Sequence, residues 1–146
     1  MAASYQKFNL TSQDLSEAVI NFNTDTFKVM LTNTAPVATN HLYGDISGTE
    51  LANGNGYLTG GAASAVTVGA ASGTETWTAT AVTWTCVTAP MGPFRYVVFY
   101  DTTPTSPLKP LIAFWDYASS VTLQIGETFT FQPNSSATTG TLATLA

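Results

Sequence analysis

The stretch from Gly92 to Tyr117, "GPFRYVVFYDTTPTSPLKPLIAFWDY", decides the fold. It holds two dense runs of aromatic and aliphatic residues, "FRYVVFY" and "LIAFWDY", joined by a proline-rich connection. A strand that is apolar on both of its alternating faces belongs in the interior of a sheet, covered on both sides. Pro104, Pro107 and Pro110 have no N–H to donate to a ladder, so pairing must stop between the runs. The stretch predicts two central strands and an irregular link.

Working outward, "DTFKVMLT" (Asp25 to Thr32) alternates Phe27, Val29 and Leu31 with Thr26, Lys28, Met30 and Thr32, the period-two pattern of a half-buried strand. The segment before it, "DLSEAVINFNTD", reads as a helical turn capped by Ser12 or as a first strand. A hairpin is favoured, because Gln13 to Ile20 is short for a free-standing helix. Residues 33–61 are rich in glycine, with Asn53-Gly54 and Asn55-Gly56 favouring tight turns and a helical turn admissible near Ser47–Ala52. "AASAVTVGA" reads as a short strand. In "ETWTATAVTWTCVT" the alternation changes phase at Ala81–Val82, which marks a bulge, a bend or two strands running into each other. "SVTLQIGETFTFQP" reads as a hairpin across Gly126-Glu127, and "GTLATLA" as a final edge strand. The first dozen residues form either an extended N-terminal arm or an edge strand of the same sheet.

Eight to ten strands without amphipathic helices between them exclude a parallel α/β fold. The expectation is all-β: one antiparallel β-sandwich domain over residues 1–146, of jelly-roll or related Greek-key type.

The composition restricts the chemistry. Of 146 residues, 45% are hydrophobic but only 9% charged, against about a quarter in an ordinary domain; the 26 threonines take up the difference. Lys7, Lys28, Arg95 and Lys109 are the whole basic complement, and the net charge is −5. They form no basic stripe, so neither a nucleic acid nor an anionic membrane is an expected partner. No apolar run approaches the roughly 20 residues of a membrane-spanning helix. "MAASYQKFNL" lacks the pattern of a secretory signal, and Cys86 has no second cysteine to pair with, which suits synthesis in a reducing cytoplasm.

Catalytic constellations are correspondingly sparse. His41 is the only histidine, and with Cys86 alone it provides no ligand set for zinc and no cationic neighbour to activate a thiol. No serine sits in a G-x-S-x-G setting. Asp101 and Asp116 flank the two aromatic strands and invite comparison with a glycosidase pair; strand-end aspartates capping turns are the simpler reading. Asp45, Glu50, Asn53 and Asn55 gather hard oxygens in one loop, but their spacing matches no calcium loop. Asn9-Leu10-Thr11 and Asn134-Ser135-Ser136 fit the glycosylation pattern without a secretion signal to give it meaning. Trp84 and Trp115 read as core, while Trp77 stands between core and a sugar-stacking platform. No catalytic, metal-binding or cofactor-binding residue is assigned, and the sequence does not identify interface residues.

Several stretches resemble a known family: "TDTFKVMLTNTAPVATN", "ANGNGYLTGG", "VTWT", "GPFRYVVFYDTTPTSPLKPLIAFWDYASSVTLQIGETFTF" and "GTLATLA" are similar to small virion proteins of tailed bacteriophages, from about Asp14 to Ala146. The resemblance implies a non-enzymatic capsid cement or decoration protein. Such a protein binds the outside of the assembled head, with the major capsid protein and further copies of itself (a dimer or trimer) as partners. It would be made in the host cytoplasm and end on the virion surface. The alternative is a receptor- or glycan-binding module of a phage tail or head fibre.

Overall fold

A computed structural model describes residues 4–133 in full and the backbone of residues 139–145; the Asn134–Ser136 tripeptide lies outside them. The described chain is an all-β antiparallel sandwich. One layer is a five-stranded sheet in the order β1 (Ser4–Lys7), β8 (Leu111–Leu123), β7 (Met91–Asp101), β2 (Phe27–Thr32), β3 (Ala62–Ala63). The facing layer comprises β10 (Thr139–Leu145), β5 (Thr74–Thr80) and β4 (Val66–Ala71), and the pair β6 (Val82–Thr85) and β9 (Thr128–Phe131). β7 and β8 form a hairpin, while β1 and β2 return from far away in sequence to flank it. This nesting of distant strands around a central hairpin is Greek-key in character.

The two aromatic runs lie in the interior of the five-stranded sheet, as their composition requires. Phe94, Val97 and Phe99 of β7, with Ile112 and Trp115 of β8, face the other layer and meet Trp77, Ala79, Val82, Trp84 and Phe131. Tyr96, Val98 and Tyr100, with Leu111 and Phe114, fill a second cluster on the outer face with Phe8, Met30 and Ile46. Strand β2 departs from the half-buried expectation. Met30 and Thr32 are fully buried too, because the 33–61 segment folds over this face. That segment carries α2 (Tyr43–Ile46) and a 3-10 turn at Ser47–Thr49.

Several readings are corrected or resolved. Thr11–Ser16 is a helix, α1, rather than part of a hairpin. Six residues are too few to stand alone, but tertiary bonds hold them: the Thr11 hydroxyl donates to the carbonyls of Leu111 and Ile112 at 3.1 and 2.9 Å. Ser12 is not its cap; Leu10 occupies that position, and the Ser12 hydroxyl bonds the Lys7 ammonium instead. The Gly126-Glu127 turn exists but does not close a hairpin, since β9 pairs with β6 and not β8. Cys86 explains the crossing: its carbonyl accepts from Gly126 N–H and its N–H donates to the Glu127 carbonyl. The turn thereby passes the chain to the other layer, where Phe131 meets Trp115 edge-on across the core at 4.8 Å. The phase change at Ala81 separates β5 from β6, two strands in series. Of the two readings of the N-terminal segment, Ser4–Lys7 is an edge strand paired with β8 from Asp116 to Ala113.

Gly61 is where backbone meets backbone most closely. Its φ is +77°, and a Cβ there would lie 1.8 Å from the Val29 carbonyl oxygen on β2. Gly73, in the β4–β5 turn, has the same φ but open space around it. Gly73→Ala should therefore cost only the left-handed conformation, about 1 kcal/mol. Gly61→Ala adds a main-chain collision and should cost at least ~3 kcal/mol, in the range reserved for disrupted backbone. Urea unfolding of both variants checks this; equal losses would show that Gly61 is retained for its φ alone.

Candidate functional site

The candidate residues are best followed from the strands that carry them. Asp101 and Asp116 sit on the central hairpin, but the register pairs Asp116 with Tyr96, five residues along β7 from Asp101. At ~3.3 Å per residue the two carboxyls are on the order of 15 Å apart, too far for a shared glycosidic bond. Asp116 is instead held by Arg95 in a bidentate pair, with N–O distances of 2.7 and 2.9 Å. The guanidinium beside Asp116 holds its carboxyl below the usual range.

Asp101 is fully buried at the end of β7. One oxygen accepts the Thr103 N–H at 2.9 Å, and Oδ2 has no donor among the described residues. Burial pushes its carboxyl up to about 7, against the pull of the Thr103 N–H and with the help of a hydrogen bond to the Asp25 carboxyl.

The oxygens of the 45–55 loop do not converge on a common point. Asp45 Oδ2 accepts from His41 and Leu42 N–H at 2.8 and 2.9 Å, bonds that keep its carboxyl below the usual range, Leu42 foremost. Glu50 Oε1 accepts from the Tyr57 hydroxyl and Gly60 N–H, and Oε2 from the Tyr43 hydroxyl. Burial and then the Glu50 hydrogen bond push both phenols far above their ordinary value. Asn53 accepts from Thr59 N–H, and Asn55 binds Thr88 and Pro90. Each is engaged in building the loop. Among the described residues, no group of three or more His, Cys, Asp or Glu side chains is placed to hold a metal ion.

His41 lies beside Asp14, its Nε2 2.9 Å from a carboxylate oxygen that is almost fully buried. This partner was invisible in the sequence, being 27 residues away on α1. The pair ties helix to loop, and Leu111 N–H at the start of β8 donates to the His41 carbonyl. Cys86 is elsewhere, buried with its thiol on the Ala89 carbonyl at 3.0 Å. No nucleophile–base pair forms from the two.

A concavity opens where α1 and β1 face β4 and β5. It measures about 580 Å³. Leu15, Ile20, Phe22, Val68, Trp77 and Ile112 supply an apolar wall; Lys7, Ser12, Ser16, Asn21, Asn23 and Glu75 supply the polar rim. Trp77 is not an exposed platform. It is 7% exposed, lies 4.9 Å from Phe22 between ring centroids, and donates its indole N–H to Glu75 at 3.2 Å. Trp84 and Trp115 are buried in the core, as read. The cavity suits an apolar or amphipathic group and contains no acid–base or nucleophilic arrangement that the described bonds reveal. No helix of the described residues is long and apolar enough to cross a membrane.

The buried Asp101 generates a pH dependence. Below about pH 4 the carboxyl is protonated in both native and unfolded chains. Between ~4 and 7 the unfolded chain releases a proton that the native state keeps, so the stability this group provides is lost as pH rises through 7. Asp101→Asn cannot ionise. Its melting temperature relative to the parent should rise by ~3 °C or more between pH 4.5 and pH 8. A difference that stays constant across that window would show that Asp101 does not titrate within it. No protein-family model matches the chain, and neither a curated protein nor a solved structure matches it.

Proposed function

We propose that the protein is a capsid cement or decoration protein of a tailed bacteriophage, a non-enzymatic module that seats on the outside of the assembled head and clamps neighbouring major capsid protein subunits. One observation carries the reading: the sandwich presents a surface with few long charged side chains, and three of its exposed apolar side chains sit on loops that bond to one another. Leu58 is 71% exposed, Val87 57% and Ile125 62%. Their loops are bonded to one another: Val87 N–H donates to the Asn55 carbonyl, and Gly126 N–H to that of Cys86. The rest of the surface is dominated by short hydroxyl side chains that bond each other, such as Thr83 to Thr130 and Thr26 to Thr102, both at 2.8 Å.

Such a surface suits docking on physical grounds. Short hydroxyl side chains lose little rotamer freedom when covered, where a long one costs about 0.5–1.5 kcal/mol. Few charges need desolvation. A ligand that binds only the assembled shell stabilises it by RT ln(1 + [L]/Kd) at every site, so a modest affinity repeated over a capsid resists internal pressure. The sequence resemblance to small virion proteins points the same way. The second reading, a glycan- or receptor-binding module of a fibre, is favoured only by the cavity, whose Trp77–Phe22 wall and polar rim have the mixed character of a sugar site.

Sedimentation with empty, expanded shells of the cognate capsid protein tests the proposal. Saturable binding and a raised shell melting temperature are expected, with Val87→Glu and Leu58→Glu together weakening binding at least ~10-fold, the effect of about 1.4 kcal/mol per site. Retention on host cells or glycans without binding to shells would overturn it in favour of the fibre reading.

A further inference from the structure

We infer that the free edge of β4 is a self-pairing surface, by which two copies of the chain join their β10–β5–β4 layers across a two-fold axis at Val68. The inference goes beyond the proposed role and does not depend on it.

Most sheet edges in this molecule are short or guarded, the outer edges of β6 and β9 being only four residues long, and β4 is the longest regular edge without a guard. β1 is four residues long and carries Lys7; β3 is two residues long. β10 breaks register between Thr141 and Ala143, a bulge of the kind that turns an edge away from partners. The outer edge of β2 beyond β3 is closed by the loop. β4, "VTVGAA", has six residues, no charge, no proline and unbroken register against β5 from Val66–Ala79 to Ala71–Thr74. No other described segment bonds to its far side.

The hydrogen-bond phase identifies the free groups. Thr80 N–H donates to the Ala65 carbonyl at 2.9 Å, so Ala65 turns both its backbone groups toward β5. In an antiparallel ladder the pattern alternates. Thr67, Gly69 and Ala71 therefore also bond inward, and the N–H and C=O of Val66, Val68 and Ala70 point out. These three residues are symmetric about Val68. An antiparallel second copy sets Val68 against Val68, and Val66 of each chain against Ala70 of the other. Each of the three facing pairs then exchanges two hydrogen bonds, and every outward group is satisfied. No other register centred on this strand does so.

The side chains fit the same occupant. Thr67, Gly69 and Ala71 on the outer face are small and uncharged, so nothing repels at the axis. Val66 and Val68 are only partly buried against the core, and Val68 lines the cavity. Extending the layer with a second copy sets two further valines over that open side. A second copy supplies this strand in the required register by its own two-fold symmetry, so one surface serves both partners.

Three variants test this. Val68→Pro deletes an outward N–H and costs no intramolecular bond, since proline is tolerated at a free edge. Val68→Cys places thiols at facing positions with Cα atoms ~5.5 Å apart, within disulfide range, and the native Cys86 is buried. Ala70→Cys faces Val66 and is out of register with itself. Analytical ultracentrifugation should show a dimer for the parent chain and a monomer for Val68→Pro with an unchanged circular dichroism spectrum. Mild oxidation should cross-link Val68→Cys at least ~10-fold more than Ala70→Cys. A parent chain monomeric at hundred-micromolar concentration overturns the inference, as does a dimer indifferent to proline or equal cross-linking of the two cysteine variants. A monomer that loses shell binding on Val68→Pro would assign the edge to the shell.

Discussion

The structure depends on how the outer edge of β2 is closed. Only Lys28 and Val29 are paired with β3, and two residues further on the N–H and C=O of Leu31 point at a protein interior where water cannot serve them. The Tyr57 hydroxyl accepts the Leu31 N–H at 3.1 Å, and Leu51 N–H donates to the Leu31 carbonyl at 2.8 Å. A side chain and a loop thus stand in for a missing strand. Leaving either group unmet would cost about 1–3 kcal/mol. The arrangement works only because Glu50 takes the proton side of Tyr57 at 2.5 Å, which leaves the phenol oxygen free to accept. Glu50 also binds Tyr43, whose ring stacks on Tyr100 of β7 at 4.8 Å. One carboxylate therefore fixes the 33–61 segment on the outer face of the sheet and buries the second cluster beneath it.

This closure shows what was legible in the sequence and what was not. Strands β7 and β8 were readable because burial on both faces leaves an unmistakable composition, and the three prolines between the runs mark where pairing stops; that the two pair with each other was not. The turn at Gly126 was readable too, but its partner was not: local residues set the bend, whereas Cys86, forty residues earlier, decides which layer receives the strand. The same limit applies to α1. Its six residues have no helical logic of their own, and the bonds from Thr11 to Leu111 and Ile112 span 100 and 101 positions. Lys28 and Met30 looked like the solvent face of a strand. Nothing in the glycine-rich 33–61 stretch announces that it will fold back as a cover.

Polar residues that looked like chemistry were mostly architecture. Asp45, Asn53 and Asn55 each satisfy a loop donor, and Asp116 is pinned by Arg95. Glu50 appeared in the sequence as a loop carboxylate of no special standing, yet the fold makes it a junction of three donors. The buried Asp14 gives no sign of its role, because its partner His41 arrives from a distant loop. With so few ionisable groups, nearly every one has been used to lock a segment whose own propensity is weak. Of the acidic and basic side chains among the described residues, only Asp14 and Asp101 are buried, and the rest give the surface few charges.

That economy bears on the outside of the molecule. A sheet edge is ordinarily kept from pairing by lysine, proline or a bulge. This sequence places Lys7 on β1 and a register break in β10 but leaves β4 bare, on the side where the two layers stand open over the cavity. An unguarded edge is a liability in a chain that must stay apart from its copies. It is an asset in one that assembles, since main-chain hydrogen bonds supply affinity without buried charge. The neutral threonine surface, the apolar loop tips and the uncovered β4 edge share one physical cause: a scarcity of charged side chains that leaves the outside of the sandwich free to be covered.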